Sequence, residues 1–163
     1  MSRELLVLRH AKSAWDTDAS SDFERPLSKR GRKAAPRMGR WIRENDLQPD
    51  FVLASTALRV RQTVHALLPE LDREPPVVWE DTIYEASIAE LLTLLSACPP
   101  DHRRVLLVGH NPGLESLVAH LSGRAHLFPT AALAHFTLPS NWSTLMEGAG
   151  SLDALIRPRE LED

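Results

Sequence analysis

Two apolar runs, each closing on a histidine, limit what this chain can fold into. Residues 5–10 read Leu-Leu-Val-Leu-Arg-His, and residues 105–112 read Val-Leu-Leu-Val-Gly-His-Asn-Pro. Four consecutive apolar residues leave no polar side to turn to water, so each run predicts a strand buried on both faces, as in the centre of a parallel sheet. Parallel strands end at the same edge. His10 and His110 are therefore expected together at the carboxyl edge, where open α/β folds place their ligands.

The sequence between and beyond these runs alternates in the same way. Residues 51–54 predict a second buried strand and 77–79 a short third one. Ser28 is placed to cap a helix in which Ala34, Met38, Trp41, Ile42 and Asn45 share one face, and Pro36, which removes a bond to the Arg32 carbonyl, predicts a kink or a restart there. Ser55 and Thr56 can cap a second helix whose stripe is Ala57, Val60, Val64, Leu67 and Leu68; a third spans about 87–97 and stops at Pro99-Pro100. Asn111 as cap, with Pro112 at the first helical position, opens a fourth that buries Leu114, Leu117, Val118 and Leu121 and closes at Gly123. Residues 131–138 and 151–156 read as strands around a Gly-rich turn. The alternation predicts an α/β fold, a three-layer α/β/α sandwich with a mostly parallel central sheet, whose strand order the pattern leaves open.

With 163 residues the chain is expected to form a single domain over 1–163, its last seven or so residues frayed. A formal charge of −3 gives no general attraction to nucleic acid or an anionic membrane. The lone cysteine, Cys98, follows an apolar helix beside a Pro-Pro turn and reads as structural. No apolar run approaches the roughly 20 residues that cross a bilayer, and the first residues lack a signal peptide's apolar stretch, so the expected location is cytoplasmic.

Polar residues gather at the strand ends: Arg9-His10, then Ser55 to Arg61, then Glu80 to Glu85, then Gly109-His110-Asn111. Only His10 and His110 are placed for a metal, and no His-x-x-His or Cys-x-x-Cys pair supplies further ligands, so no metal is expected. A phosphoryl group fits better, since arginine forks match its oxygens and a helix N-terminus behind Asn111 adds positive potential. A neutral imidazole is also a competent nucleophile toward phosphorus. The strongly basic segment 25–43 reads as a solvated helix face, or else as a surface for docking an acidic protein partner.

Taken together, Leu8-Arg9-His10-Ala11, Arg25-Pro26-Leu27-Ser28 with Arg30-Gly31, Ser55 through Leu58-Arg59 to Gln62-Thr63, Ile83-Tyr84-Glu85 and Val108 to Pro112 form an ordered set. Over roughly residues 4–138 this set resembles the histidine phosphatase (phosphoglycerate mutase-like) superfamily, and most of all its short SixA-like phosphohistidine phosphatases. The resemblance implies that His10 is the phosphorylated nucleophile, that Arg9, Arg59 and His110 clamp the phosphoryl oxygens, and that Asn111 belongs to the phosphate site. Alanine stands at position 11 where the superfamily usually has glycine, so that loop must keep an ordinary backbone conformation. Helical periodicity alone would not choose Arg59 over Arg61; the spacing to Thr63 in the family pattern does. Glu85 occupies the region of the proton donor in larger members, with Asp16, Asp22 and Glu24 as rivals.

Substrate expectations follow from that donor. An alkoxide needs a proton as it leaves, whereas an imidazole can leave neutral. The expected activity is a phosphatase acting through a covalent phosphohistidine, on phosphohistidine of a protein partner, with neither metal nor organic cofactor. A phosphatase of small phosphoesters and a non-catalytic phosphohistidine-binding module are the alternatives. Thr130 reads as a turn residue near the pocket, and His65, His102, His120, His126 and His135 as structural or surface residues.

Overall fold

The structure, a computed structural model, describes residues 2–139, 142 and 145–160. In chain order the elements are β1 (Arg3–Arg9), α1 (Lys29–Glu44), β2 (Phe51–Ser55), α2 (Leu58–Leu67), β3 (Val77–Glu80), α3 (Ile88–Ser96), β4 (Arg104–Gly109), α4 (Gly113–Ser122), β5 (Leu133–Leu138) and β6 (Ser151–Ile156). The six strands form one sheet in the order β3-β2-β4-β1-β5-β6. The first four strands are parallel, while β5 runs antiparallel to β1, and β6 to β5. The expected α/β sandwich with a mostly parallel sheet is what forms.

The uninterrupted apolar runs are explained by two cores, one on each face of the sheet. Leu5, Val7, Leu53, Val105 and Leu107 point to one face, where α3 and α4 supply Leu91, Leu95, Leu114 and Leu117. Leu6, Leu8, Val52, Ala54, Leu106 and Val108 point to the other, where α1 and α2 supply Met38, Ile42, Val60 and Val64. Because side chains alternate along a strand, a strand covered on both sides must be apolar at every position.

Three local expectations are refined. Helix α1 runs through Pro36 as a single 16-residue helix, with Ser28 capping it by accepting from the Gly31 amide. Helix α4 starts at Gly113, after a cis Asn111–Pro112 peptide, so Pro112 is the cap position rather than the first helical residue. Asn111 still serves the helix, its Oδ1 accepting from the Glu115 amide at 3.2 Å. The cap of α2 is Ala57, whose own side chain makes no bond; Ser55 is still in β2, but its hydroxyl accepts from the Ala57 amide at 3.2 Å. At the chain end, 161–163 lie outside the described residues, while Arg157 of the segment expected to fray is tied to the Leu127 carbonyl.

Candidate active site

The register of β1 on β4 builds the site. Arg9 lies opposite Gly109 in the parallel ladder, and the His10 amide donates to the Gly109 carbonyl at 3.0 Å, so His10 and His110 leave the sheet side by side. Their ring centroids are 5.2 Å apart. Both are buried, 5% and 7% exposed. With Arg9, Lys12, Ser13, Trp15, Arg25, Arg59, Asn111 and Thr130 they line a pocket of about 310 Å³.

The His10 ring is held by its own loop. Nδ1 is 2.7 Å from the Ala11 carbonyl, which can only accept, so Nδ1 carries the proton and Nε2 keeps its lone pair. Arg59 Nε lies 3.4 Å from that Nε2. Burial first, then Arg59, Arg9 and Arg25, push the His10 pKa down to about 4, against the Ala11 hydrogen bond, which raises it. Desolvation is the largest cause, and among the cations Arg59 outweighs Arg9. His110 is pushed down to about 3, again chiefly by burial and then by His10 and Arg59. Its Nε2 is 2.8 Å from the Ser55 hydroxyl.

Helix α2 positions several parts at once. Arg59, 6% exposed, is its second residue, and its guanidinium reaches back over the strand ends to His10 and to Asp22. Arg61, the alternative on periodicity, donates instead to the Thr56 carbonyl. Thr63 accepts from the Ala11 amide and donates to the Arg59 carbonyl, tying the loop after His10 to the helix that carries the arginine. Gln62 accepts from the Leu27 amide. The glycine after Arg30 has a similar purpose: a Cβ on Gly31 would stand 2.1 Å from the Lys12 carbonyl, which also accepts from the Ser28 amide. Only glycine lets α1 approach the loop that closely.

Of the four carboxylates considered as proton donors, Asp22 is the one ion-paired in the site. It accepts from Arg59 at 3.1 Å, from Arg25 at 2.9 Å and from the Tyr84 hydroxyl. The Tyr84 bond foremost, then the two arginines, hold its carboxyl well below the usual carboxylate range. Glu85 is exposed and lines an adjoining cleft of about 370 Å³ with Asp22, Arg59, Tyr84 and His110. Asp16 and Glu24 are exposed and line neither space.

Asn111 lines the pocket, but both ends of its carboxamide are engaged, Nδ2 donating to the Phe128 carbonyl at 2.8 Å and Oδ1 accepting from Glu115. One Nδ2 hydrogen remains for a ligand. The first amides of α4 offer less than expected, since Leu114 donates to the His110 carbonyl and Glu115 to Asn111. Arg9 donates to the same Phe128 carbonyl at 3.2 Å, and its buried Nε has no partner among the described residues.

Sequence reasoning passed over Lys12, Ser13, Trp15 and Ser55 as site residues. Arg25 binds the Ser13 hydroxyl at 2.6 Å and lies 3.7 Å from the centroid of the exposed Trp15 ring, so the first loop forms a wall of the pocket. Thr130 reaches the pocket as well. The remaining histidines do not line it: His135 meets Glu4, His102 stacks on Phe51 and His120 meets the Leu145 carbonyl. Cys98 is free and buried, as expected. Among the described residues, no group of three or more potential ligands could hold a metal, and no helix is long and apolar enough to cross a membrane.

Comparison with known proteins gives the same picture. The family model "Histidine phosphatase superfamily (branch 1)" matches residues 5–94. An uncharacterised protein of Mycobacterium tuberculosis is 31% identical over 93% of this chain and 100% of its own length. Among solved structures, the protein histidine phosphatase SixA complexed with tungstate superposes with a TM-score of 0.85 at 25% identity, covering 98% of this chain and 99% of that one. A protein of Nakamurella multipartitia provisionally described as phosphohistidine phosphatase SixA gives 0.86 at 27% identity, covering 97% of each.

Proposed function

The chain belongs to the histidine phosphatase superfamily, and on that premise we propose that it removes the phosphoryl group from phosphohistidine of a protein by way of a transient phosphohistidine on His10. The observation that carries this reading is the protonation pattern of the site. Its proposed nucleophile is neutral, with an unprotonated Nε2 that accepts one long bond from Arg59, while the carboxylate ion-paired within the site, Asp22, is held ionised.

In the first step the Nε2 lone pair of His10 attacks phosphorus and the bond from phosphorus to the substrate imidazole breaks. That imidazole, protonated on its other nitrogen, takes the bonding pair and leaves neutral. In the second step water attacks phospho-His10, and His10 leaves with its Nδ1–H still donating to the Ala11 carbonyl. The water's proton passes to phosphate or solvent. Arg9, Arg59 and His110 stabilise the phosphoryl oxygens, and Asn111 contributes its remaining N–H. None of these transfers calls on a metal or an organic cofactor.

A second reading rests on the adjoining cleft. Glu85 lines it together with Arg59 and His110, so a small phosphoester whose leaving oxygen entered there would find a carboxyl group to protonate it. Values of kcat/KM for a phosphohistidine-bearing protein and a panel of small phosphoesters decide between them. The proposal expects the phosphohistidine protein to be preferred, with an acid-labile, base-stable label on the enzyme that is absent in His10→Ala. A strong preference for one ester, or label persisting in that variant, refutes it. Binding of the phosphohistidine protein without any turnover would make the chain a recognition module.

A further inference from the structure

A second cleft opens beside the catalytic pocket, and its lining is cationic. It has a volume of about 250 Å³ and is bounded by Lys12, Arg30, Arg37, Arg157 and Arg159, with Ala34, Thr130 and two prolines among the other lining residues. Among the described residues no carboxylate lines it. Lys12 and Thr130 are shared with the catalytic pocket, so a molecule seated on His10 can continue into the cleft without leaving the surface.

Its shape comes from α1. Arg30, Ala34 and Arg37 stand at i, i+4 and i+7, which is one helix face. The two arginines flank an alanine, so the floor between them stays low where a larger side chain would fill the groove. Seven residues of helix span about 10 Å, and an extended peptide covers that length in about three residues. The opposite wall is the segment after β6, where Arg157 is fastened to the Leu127 carbonyl.

We propose that this cleft binds acidic residues flanking the phosphorylated histidine of a protein substrate. Five cations spread along a helix face and the facing wall suit several carboxylates on an extended chain better than one compact anion, which two or three of them would saturate. The sequence allowed either a solvated face or a docking surface for the basic segment; the cleft and its continuity with the pocket favour the second for Arg30 and Arg37. This assignment rests on the phosphohistidine reading of the catalytic pocket.

The test uses two phosphohistidine peptides of equal length, one with Asp and Glu around the phosphorylated residue and one with Asn and Gln, together with 4-nitrophenyl phosphate. The unphosphorylated peptides, fluorescently labelled, report binding by anisotropy. The full-length protein should prefer the acidic phosphopeptide by about tenfold or more at low ionic strength, mainly through KM, and lose most of that preference at high salt. The double variant R30E/R37E should abolish the preference and the binding of the acidic peptide while turning over 4-nitrophenyl phosphate within about twofold of the parent protein. Equal turnover and equal binding of the two peptides by the parent protein overturn the proposal without recourse to any variant. A preference for a small ester bearing a second phosphate, lost in R30E/R37E, with no discrimination between peptides, overturns it in favour of a metabolite subsite. If neither phosphopeptide is hydrolysed while the acidic peptide still binds and R30E/R37E abolishes that binding, the cleft assignment stands and the phosphohistidine reading falls.

Discussion

Two buried neutral histidines make the stability of this protein depend on pH between neutrality and about pH 4. His10 has a pKa of about 4 in the fold and His110 about 3, against an ordinary value of 6.5. Both are depressed, so the unfolded chain binds protons at these positions before the folded one does, and stability falls as pH falls. The contribution is fully present above about 6.5, is lost progressively below it, and levels off once the folded pKa is passed. Between pH 7 and pH 5 each histidine, titrating only in the unfolded state, costs about 2 kcal/mol, and the pair at most about 4 kcal/mol. The loss from Asp22 comes at lower pH, because its folded pKa lies below its ordinary 3.8. Urea unfolding at pH 7, 6 and 5, on the parent protein and on His10→Gln/His110→Gln, isolates the effect as a difference in slope. The parent should lose 2 to 4 kcal/mol more than the double variant across that range. Parallel losses, within about 1 kcal/mol, would mean that the fold does not hold these imidazoles neutral, and the argument for a ready nucleophile would go with them.

The same depression places the acid limb of kcat/KM near pH 4 rather than 6.5, because His10 must be neutral to attack; a pH–rate profile corrected for the substrate's own titration reads it. Arg59→Ala should lower kcat/KM by about 100-fold to 1,000-fold, whereas Arg61→Ala, which loses only a bond to the Thr56 carbonyl, should stay within about threefold. Gly31→Ala drives a methyl into the Lys12 carbonyl, so it should destabilise by about 1–3 kcal/mol and lower kcat with it, measured by denaturation and turnover on one preparation. If no carboxyl group donates a proton, Asp22→Asn and Glu85→Gln should each cost about tenfold or less on phosphohistidine; a loss of about 100-fold or more for Glu85→Gln confined to esters with poor leaving groups would identify it as an acid.

The strands were legible because a doubly covered strand has to be apolar throughout, and residues 5–8 and 105–108 satisfy that without exception. Their adjacency was not, since parallel register depends on contacts between residues a hundred positions apart. Pro112 looked like a first helical residue because its φ suits one, but the helix opens one residue later. Ser55 was read as serving the helix start, and its hydroxyl does accept from the Ala57 amide; its second contact, to His110, depends on β4 lying alongside β2. Asp22 could not be told from its rivals Asp16 and Glu24 because its partners Arg59 and Tyr84 are 37 and 62 residues away. Arg59 lay beyond periodicity for a related reason. A residue in the first turn of a helix can reach past the helix end, so the face it occupies does not decide what it touches.

The protonation pattern also constrains what the site can release. Burial, more than neighbouring charge, keeps His10 neutral, so mobile counter-ions would alter its pKa little, and the proposed nucleophile keeps its lone pair at any pH well above 4. Asp22 is ionised for the opposite reason: it is half exposed, and donors rather than burial decide its state. With Tyr84, Arg25 and Arg59 all donating to it, it works as an anchor that orients Arg59 against His10, and it has no proton to give. A site that attacks well and protonates poorly discriminates by leaving group. On the proposed reading such a site passes substrates whose leaving atom departs neutral and slows those that must leave as alkoxides, and the charge state of Asp22 contributes to that selection alongside the shape of the pocket.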